Sequence, residues 1–208
     1  MTLPRLLLIT DRRKMRPTFE AALAAALHGG ARLIQLREKD LSSSEILALA
    51  RQAQRLCESY GAQLLINSRA DLAYASGAAG VHLPEQDLSL QEVPLSLSSH
   101  ALWGVSVHSV QAARRVMEAG TDYLVFGPVF RTASHPDTAP VGLDALRQIT
   151  EATPLPVFAV GGIDVHSVQP CLEAGAHGLA VISAVWQTDD VAAATQALIA
   201  RTEEFLKR

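Results

Sequence analysis

The chain has 208 residues, of which 49% are hydrophobic and 19% are charged, and its formal net charge is −3. This composition provides for a large apolar core and excludes a disordered chain. The small negative charge argues against nucleic acid or an anionic membrane as the main partner. Cys57 and Cys171 lie far apart and outside any CxxC spacing, which predicts buried thiols and neither a disulfide nor a zinc site. The first apolar run is too short for a signal peptide or a membrane span, so we expect a soluble cytoplasmic protein.

Apolar runs alternate with helical patterns along the chain. The runs predict strands at 6–9, from 32 onward, at 64–66, 80–83, 102–106, 122–126 and 157–160, and before Ile182. Helical patterns lie between them, including a weak one around 90–95, and a closing helix is predicted at 189–206. Eight strands alternating with eight helical segments predict an α/β fold, a single (β/α)8 TIM barrel forming one domain over residues 1–208. A doubly wound open sheet is the alternative, but no Gly-x-Gly-x-x-Gly follows the first strand.

Polar residues follow the second strand at alternate positions. Because side chains in a strand alternate between two faces, Gln35, Arg37 and Lys39 point the same way. In a barrel that side can be the interior, where three polar groups predict a ligand. A solvated strand end is the alternative interpretation.

The stretch at 156–183 predicts a phosphate-binding site. It reads as a β-α-β unit in which Gly161 and Gly162 follow one strand, and Ile182 and Ser183 follow the next. In a (β/α)8 barrel the loops after strands 7 and 8 commonly bind phosphate through backbone N–H groups. A tight turn alone is the competing explanation for the glycine pair.

In a barrel the C-terminal ends of all strands meet at one mouth. Residues at the other predicted strand ends and in the long loop at 127–141 are Thr10, Asp11, Asn67, Ser68, Asp87, Ser106, His108, Thr132, Ser134 and His135. The set is basic and rich in hydroxyl groups, which suits a phosphorylated small molecule.

The histidines differ in their surroundings. His108 follows a strand end and precedes a helix, which makes it the candidate acid/base group. His82 stands between apolar neighbours and is interpreted as a packed strand residue. The role of His135 in the long loop stays open, and Asp87 either binds Mg²⁺ or caps the next helix.

Several segments together resemble a known family. They are LITDR at 8–12, QLREK at 35–39, INSRADLA at 66–73, GVHLPEQDL at 80–88, GVSVHS at 104–109, DYLVFGPVFRTASHPDT at 122–138, PVFAVGGI at 156–163 and GLAVIS at 178–183. The combination is similar to the thiamine phosphate synthase/TenI superfamily. The resemblance implies a (β/α)8 barrel that binds thiazole or pyrimidine phosphates in thiamine biosynthesis, and a homodimer.

One branch of that superfamily is thiamine phosphate synthase, a transferase. It joins hydroxymethylpyrimidine pyrophosphate to thiazole phosphate and uses Mg²⁺. The resemblance implies that Gln35, Arg37, Lys39, Asn67 and Asp87 would handle the pyrophosphate, with Asp87 as a metal ligand. The chain departs from this pattern twice. Ser68 stands where the family has a metal-binding Asp, and residues 132–135 read Thr-Ala-Ser-His in place of Thr-x-Thr-Lys.

The sequence favours the other branch, the TenI-like thiazole tautomerases, which aromatise a carboxythiazole phosphate without a metal cofactor. The Ser-Val-His-Ser motif at 106–109 and the TASHP segment at 132–136 resemble that branch. His108 would be the general acid/base, and Arg37 and Lys39 would face the substrate carboxylate. Gly162, Ile182 and Ser183 would hold the phosphate. A non-catalytic protein that binds thiazole phosphate is the third hypothesis.

Overall fold

The computed structural model describes residues 3–86, 101–132 and 137–207. Eight parallel strands pair in chain order and close between the last and the first. They are β1 (Leu6–Ile9), β2 (Leu33–Leu36), β3 (Gln63–Asn67), β4 (Gly80–Leu83), β5 (Leu102–Val107), β6 (Tyr123–Phe126), β7 (Val157–Val160) and β8 (Gly178–Val181). The closed barrel confirms the predicted fold class and excludes the open sheet.

Helices cover the outside of the barrel. The described ones are α1 (Phe19–His28), α2 (Ser43–Ser59), α3 (Ala70–Ser76), α4 (Val110–Glu118), α5 (Gly142–Ala152), α6 (Val168–Glu173), α7 (Ser183–Trp186) and α8 (Val191–Leu206). Ser42 and Glu45 form a capping box at the start of α2. In the part of the chain that the structure describes, no helix is long and apolar enough to cross a membrane. The helix predicted around 90–95 lies outside the described residues.

Continuous apolar strands form because both of their faces are buried. Leu6 and Leu8 of β1 pack outward against the helices, whereas Leu7 and Ile9 pack inside the barrel. The interior cluster also contains Leu33, Leu65, Tyr123, Val125, Phe158 and Ala180. Burying each large apolar side chain contributes roughly 1.5–3 kcal/mol. Both cysteines are buried free thiols, as predicted.

Two details at the mouth differ from the sequence-based expectation. Strand β2 ends at Leu36, so Arg37 and Lys39 continue beyond the strand. The segment after β8, expected to be a loop, is the short helix α7. Its Trp186 is buried and donates a hydrogen bond from Nε1 to the carbonyl oxygen of Ile9 at 2.7 Å. That bond ties the end of β8 to the end of β1.

Candidate active site

A cavity of about 1090 Å³ opens at the C-terminal ends of the strands. The predicted site residues that line it are Gln35, Arg37, Lys39, Asn67, Ser106, His108, Thr132, Gly161, Gly162, Ile182 and Ser183. Asp87, Ser134 and His135 lie outside the described residues. Ser68 lines the cavity as well, whereas Thr10 and Asp11, also expected at the mouth, do not. The individual roles of the lining residues remain predictions.

A chain of side-chain amides lines the cavity at the ends of β2 and β3. Gln35 is buried and donates from Nε2 to Asn67 Oδ1 at 2.8 Å, and Asn67 Nδ2 donates to Ser68 Oγ at 2.8 Å. Ser68 has a positive φ of 61°, which few non-glycine residues adopt. The buried Oε1 of Gln35 has no hydrogen-bond partner among the residues that the structure describes. A buried acceptor without a donor is costly, so this atom is suited to receive a hydrogen bond from a ligand.

Arg37 and Lys39 bring positive charge to the same side. Arg37 is half-buried, and among the described residues its guanidinium group has neither a hydrogen bond nor an ion pair. Burial lowers the pKa of Arg37, while the charges of Asp11 and Glu38 act in the opposite direction. The charge of Arg37, followed by burial, lowers the pKa of Lys39. Two neighbouring cations that form no ion pair with a described residue make this side of the cavity suited to an anion.

Sequence reasoning missed Glu38, the residue that links the segment after β2 to the end of β1. Glu38 is only 7% exposed, and its Oε1 accepts a hydrogen bond from Thr10 Oγ1 at 2.7 Å. The backbone N–H of Arg12 donates to both oxygens of Glu38 at 3.1 and 3.2 Å. Thr10 Oγ1 in turn accepts the backbone N–H of Arg37 at 3.0 Å. No signal in the sequence pointed to this contact, because it depends on strand register: Ile9 pairs with Gln35 and places Thr10 beside the end of β2.

His82 also lines the cavity, which the sequence-based interpretation did not anticipate. It is buried, as predicted, with Nε2 2.9 Å from Ser106 Oγ and Nδ1 3.0 Å from the Tyr123 hydroxyl. Burial, aided by the charge of Arg37, lowers the pKa of His82 to about 3, so the ring is neutral near pH 7. Its apolar neighbours Val81 and Leu83 belong to the cluster outside the barrel, and this alternation was the signal that His82 points inward.

His108 is exposed at the rim of the cavity. Its backbone N–H donates to Glu85 Oε2 at 2.8 Å, and its Nδ1 lies 3.2 Å from the carbonyl oxygen of Gly127. A carbonyl oxygen can only accept, so this contact requires the proton on Nδ1. The neutral ring then keeps a free lone pair on Nε2, which makes His108 suited to accept a proton.

The ends of β7 and β8 carry no charged side chain. Gly161 and Gly162 have positive φ values of 93° and 66°. A Cβ on Gly161 would lie 2.4 Å from Pro128 Cβ, and one on Gly162 would lie 2.5 Å from the carbonyl oxygen of Arg131. Phe130 also donates its N–H to the carbonyl oxygen of Gly161 at 3.0 Å. The glycines are therefore required for packing of the segment after β6, in addition to any ligand that they contact.

The described residues do not by themselves fit a resident Mg²⁺. None of them form a group of three or more His, Cys, Asp or Glu side chains able to hold a metal. The carboxylate of Glu38 is occupied by Thr10 and Arg12, and that of Glu85 by His108 and, at 3.6 Å, Arg115. Residues 67 and 68 supply only neutral oxygens, whereas Mg²⁺ is usually bound through one or two carboxylates together with substrate phosphates.

Known proteins resemble this chain over nearly its whole length. Residues 6–185 match the family model described as thiamine monophosphate synthase. A putative thiamine-phosphate synthase 2 of Aquifex aeolicus is 42% identical over 183 residues, which are 88% of this chain and 98% of the relative. The thiamine-phosphate synthase of Pyrococcus abyssi is 39% identical over 202 residues, 97% and 96% of the two chains. The solved thiamine phosphate pyrophosphorylase of Pyrococcus furiosus superposes with a TM-score of 0.88 at 37% identity, covering 97% of this chain and 96% of that one.

Proposed function

The chain belongs to the thiamine monophosphate synthase family and is an enzyme of thiamine biosynthesis, and within that family we propose that it is a thiamine-phosphate synthase. It would join a hydroxymethylpyrimidine pyrophosphate to a thiazole phosphate. Relatives named as synthases at about 40% identity support this assignment over the tautomerase that the motifs favoured.

The observation that carries the proposal is that one cavity brings together two groups of residues suited to bind anions. Arg37 and Lys39 follow β2 and lie next to the amides of β3, whereas Gly162 and Ser183 follow β7 and β8. In the closed barrel, β1 stands between the two groups on one side and β4, β5 and β6 stand between them on the other, so the groups occupy different parts of the mouth. A cavity of about 1090 Å³ is slightly larger than the ~300–1,000 Å³ that holds one drug-sized ligand. Condensation needs two substrates at once, and this arrangement accommodates both.

Different residues of the chain would bind different parts of the two substrates in that reaction. In the transfer, the thiazole nitrogen forms a bond to the methylene carbon of the pyrimidine as the bond from that carbon to pyrophosphate breaks. Pyrophosphate leaves with the bonding electrons, and Arg37 and Lys39 would stabilise the charge that develops on it. Gln35 and Asn67 would orient the pyrimidine substrate. Gly162, Ile182 and Ser183 would hold the thiazole phosphate by backbone N–H groups, so that the two reacting atoms meet.

A condensation assay tests the proposal. Pyrimidine pyrophosphate and thiazole phosphate are mixed with the protein, with and without Mg²⁺, and thiamine phosphate is measured. We expect product that requires Mg²⁺ and is lost in Asp87→Ala, the carboxylate assigned to the metal from sequence. Absence of product from a folded protein that binds thiazole phosphate would contradict the synthase assignment.

Thiazole tautomerase is the second candidate, and it rests on His108. Its Nδ1 is held by the Gly127 carbonyl oxygen, which leaves Nε2 available for proton transfer, and Ser68 stands where a metal carboxylate is expected. In this case His108→Ala should lower proton exchange at the carboxythiazole phosphate by at least about a hundredfold. Unchanged exchange would exclude the role. Tight binding of thiazole phosphate without turnover in either assay would instead support the non-catalytic binding protein.

A further inference from the structure

Three side chains form a hydrogen-bonded chain across β4, β5 and β6. In the strand register, His82 pairs with Gly104, and Gly104 pairs with Tyr123. A Cβ on Gly104 would lie 1.9 Å from Tyr123 Cζ and 2.2 Å from its hydroxyl oxygen. The missing side chain at Gly104 thus lets the phenol ring cross β5 and reach His82 Nδ1 at 3.0 Å. On its other side, His82 Nε2 lies 2.9 Å from Ser106 Oγ.

The protonation states of this chain follow from burial. Tyr123 is fully buried and His82 is 3% exposed. Burial raises the pKa of Tyr123, so the phenol keeps its proton. Burial also keeps His82 neutral, with its pKa lowered to about 3. A neutral imidazole carries one proton and offers one lone pair, so its two contacts must have opposite directions.

The direction is decided at the buried end. Among the described residues, His82 is the hydrogen-bond partner of the Tyr123 hydroxyl. If His82 carried its proton on Nδ1, the phenol proton would be left buried without an acceptor, at a cost of about 1–3 kcal/mol. Tyr123 therefore donates to Nδ1, which places the imidazole proton on Nε2. That proton is then donated to Ser106 Oγ.

We propose that Tyr123 and His82 are positioning residues that turn the proton of the Ser106 hydroxyl into the cavity, so that Ser106 donates a hydrogen bond to an acceptor atom on the heterocyclic ring of the bound substrate. Ser106 lines the cavity, and its oxygen already accepts from His82. Its neighbour in register on β6 is the apolar Val125. The phosphate groups have cations and backbone N–H groups elsewhere, so a ring acceptor suits this neutral part of the wall. We call the hydrogen bonds that run from Tyr123 through His82 to Ser106 the relay. The identity of the ring rests on the proposed synthase function, whereas the direction of the relay does not.

The relay is tested first in the unmodified, ligand-free protein. Nitrogen-15 spectra of protein labelled at histidine distinguish the two neutral tautomers, and the His82 signals are assigned by their loss in His82→Asn. We expect His82 protonated on Nε2 at neutral pH. Protonation on Nδ1, or a charged ring, would overturn the proposal whatever the enzyme's reaction is.

The second test removes one hydroxyl group. Tyr123→Phe keeps the ring and deletes the donor to Nδ1, so both tautomers of His82 become populated and Ser106 can donate to His82 instead of to the ligand. We expect the affinity for pyrimidine pyrophosphate to fall about fivefold, with the affinity for inorganic pyrophosphate unchanged. Tyr60→Phe, the same change outside the cavity, is the matched control and should have no effect.

A double-mutant cycle separates positioning from a structural effect. Ser106→Ala should weaken pyrimidine pyrophosphate binding by itself, and adding Tyr123→Phe to it should cause no further loss, because the relay acts only through Ser106. Additive losses would overturn the relay, as would an equal loss of affinity for inorganic pyrophosphate. If the protein bound no pyrimidine pyrophosphate at all, the proposed synthase function would fail, and the tautomer of His82 would still decide the relay.

Discussion

The two sides of the cavity are built to bind anions in different ways. The side formed by β2 and β3 uses the side chains of Arg37 and Lys39, and the buried Glu38 between them in sequence is hydrogen-bonded to Thr10 at the end of β1. The side formed by β7 and β8 has glycines and would bind an anion through backbone N–H groups. Its shape depends on close packing against the segment after β6. The first side should therefore be sensitive to charge and pH, and the second to the volume of a single side chain.

Gly162→Ala should cause the largest loss, on the uncharged side. The alanine would have to keep the left-handed backbone conformation of Gly162, and its Cβ would collide with the Arg131 carbonyl oxygen. We therefore expect a loss of about 3 kcal/mol in the free energy of unfolding. Gly77→Ala is the control, because Gly77 has a similar φ of 73° and open space around its Cβ position. It should cost only about 1–2 kcal/mol. Denaturant titration measures both, and equal losses would show that packing against the segment after β6 is unimportant.

Arg37→Ala should produce the next largest effect, on the charged side. Loss of a charge-assisted hydrogen bond costs about 2 kcal/mol, so the affinity for inorganic pyrophosphate should fall roughly thirtyfold. The affinity for thiazole phosphate should hold, because that phosphate is assigned to the side formed by β7 and β8. Arg51→Ala, an exposed arginine outside the cavity, is the control. Equal weakening of both ligands in calorimetry would mean that the two anion sites are not separate.

Ser68→Asp should make the charged side of the cavity a better binding site for Mg²⁺. An added carboxylate at the end of β3 supplies the ligand type that Mg²⁺ prefers, and we expect the Mg²⁺ affinity in the presence of pyrophosphate to rise roughly tenfold. Ser68→Asn is the control, since Asn tolerates the positive φ at this position as Asp does but has no charge. A Mg²⁺ titration that gave the same affinity for both variants would show that the charge at 68 does not reach the metal.

Some features of the fold and of the cavity could be predicted from the sequence, and others could not. The strands were predictable because runs such as LLLI in β1 are apolar on both faces, and the cavity residues were predictable because strand ends of a barrel converge. The contacts of Glu38 and the hydrogen bond between Tyr123 and His82 could not be predicted, because they depend on the register between strands that are distant in sequence. The role of Gly104 is visible only once Tyr123 is seen to cross it. The short helix α7 has only four residues, too few to give a helical pattern.

Glu38→Gln should give the smallest effect, a change in the pH dependence of stability that is confined to the charged side. Burial raises the pKa of Glu38 above its ordinary value of 4.5, so the folded protein binds this proton more tightly than the unfolded chain does. The resulting stabilisation is complete below pH 4.5 and is lost as the pH rises through the folded-state pKa. Glutamine cannot ionise, so the free energy of unfolding of the variant should lack this decline.

Asp40→Asn is the matched control of opposite sign. The hydrogen bond from Arg12 lowers the pKa of Asp40 to about 2, and its contribution is present above pH 3.8 and lost as the pH falls through 2. If denaturant titrations of Glu38→Gln across this pH range were parallel to those of the unmodified protein, burial would not raise the pKa of Glu38 in the folded state.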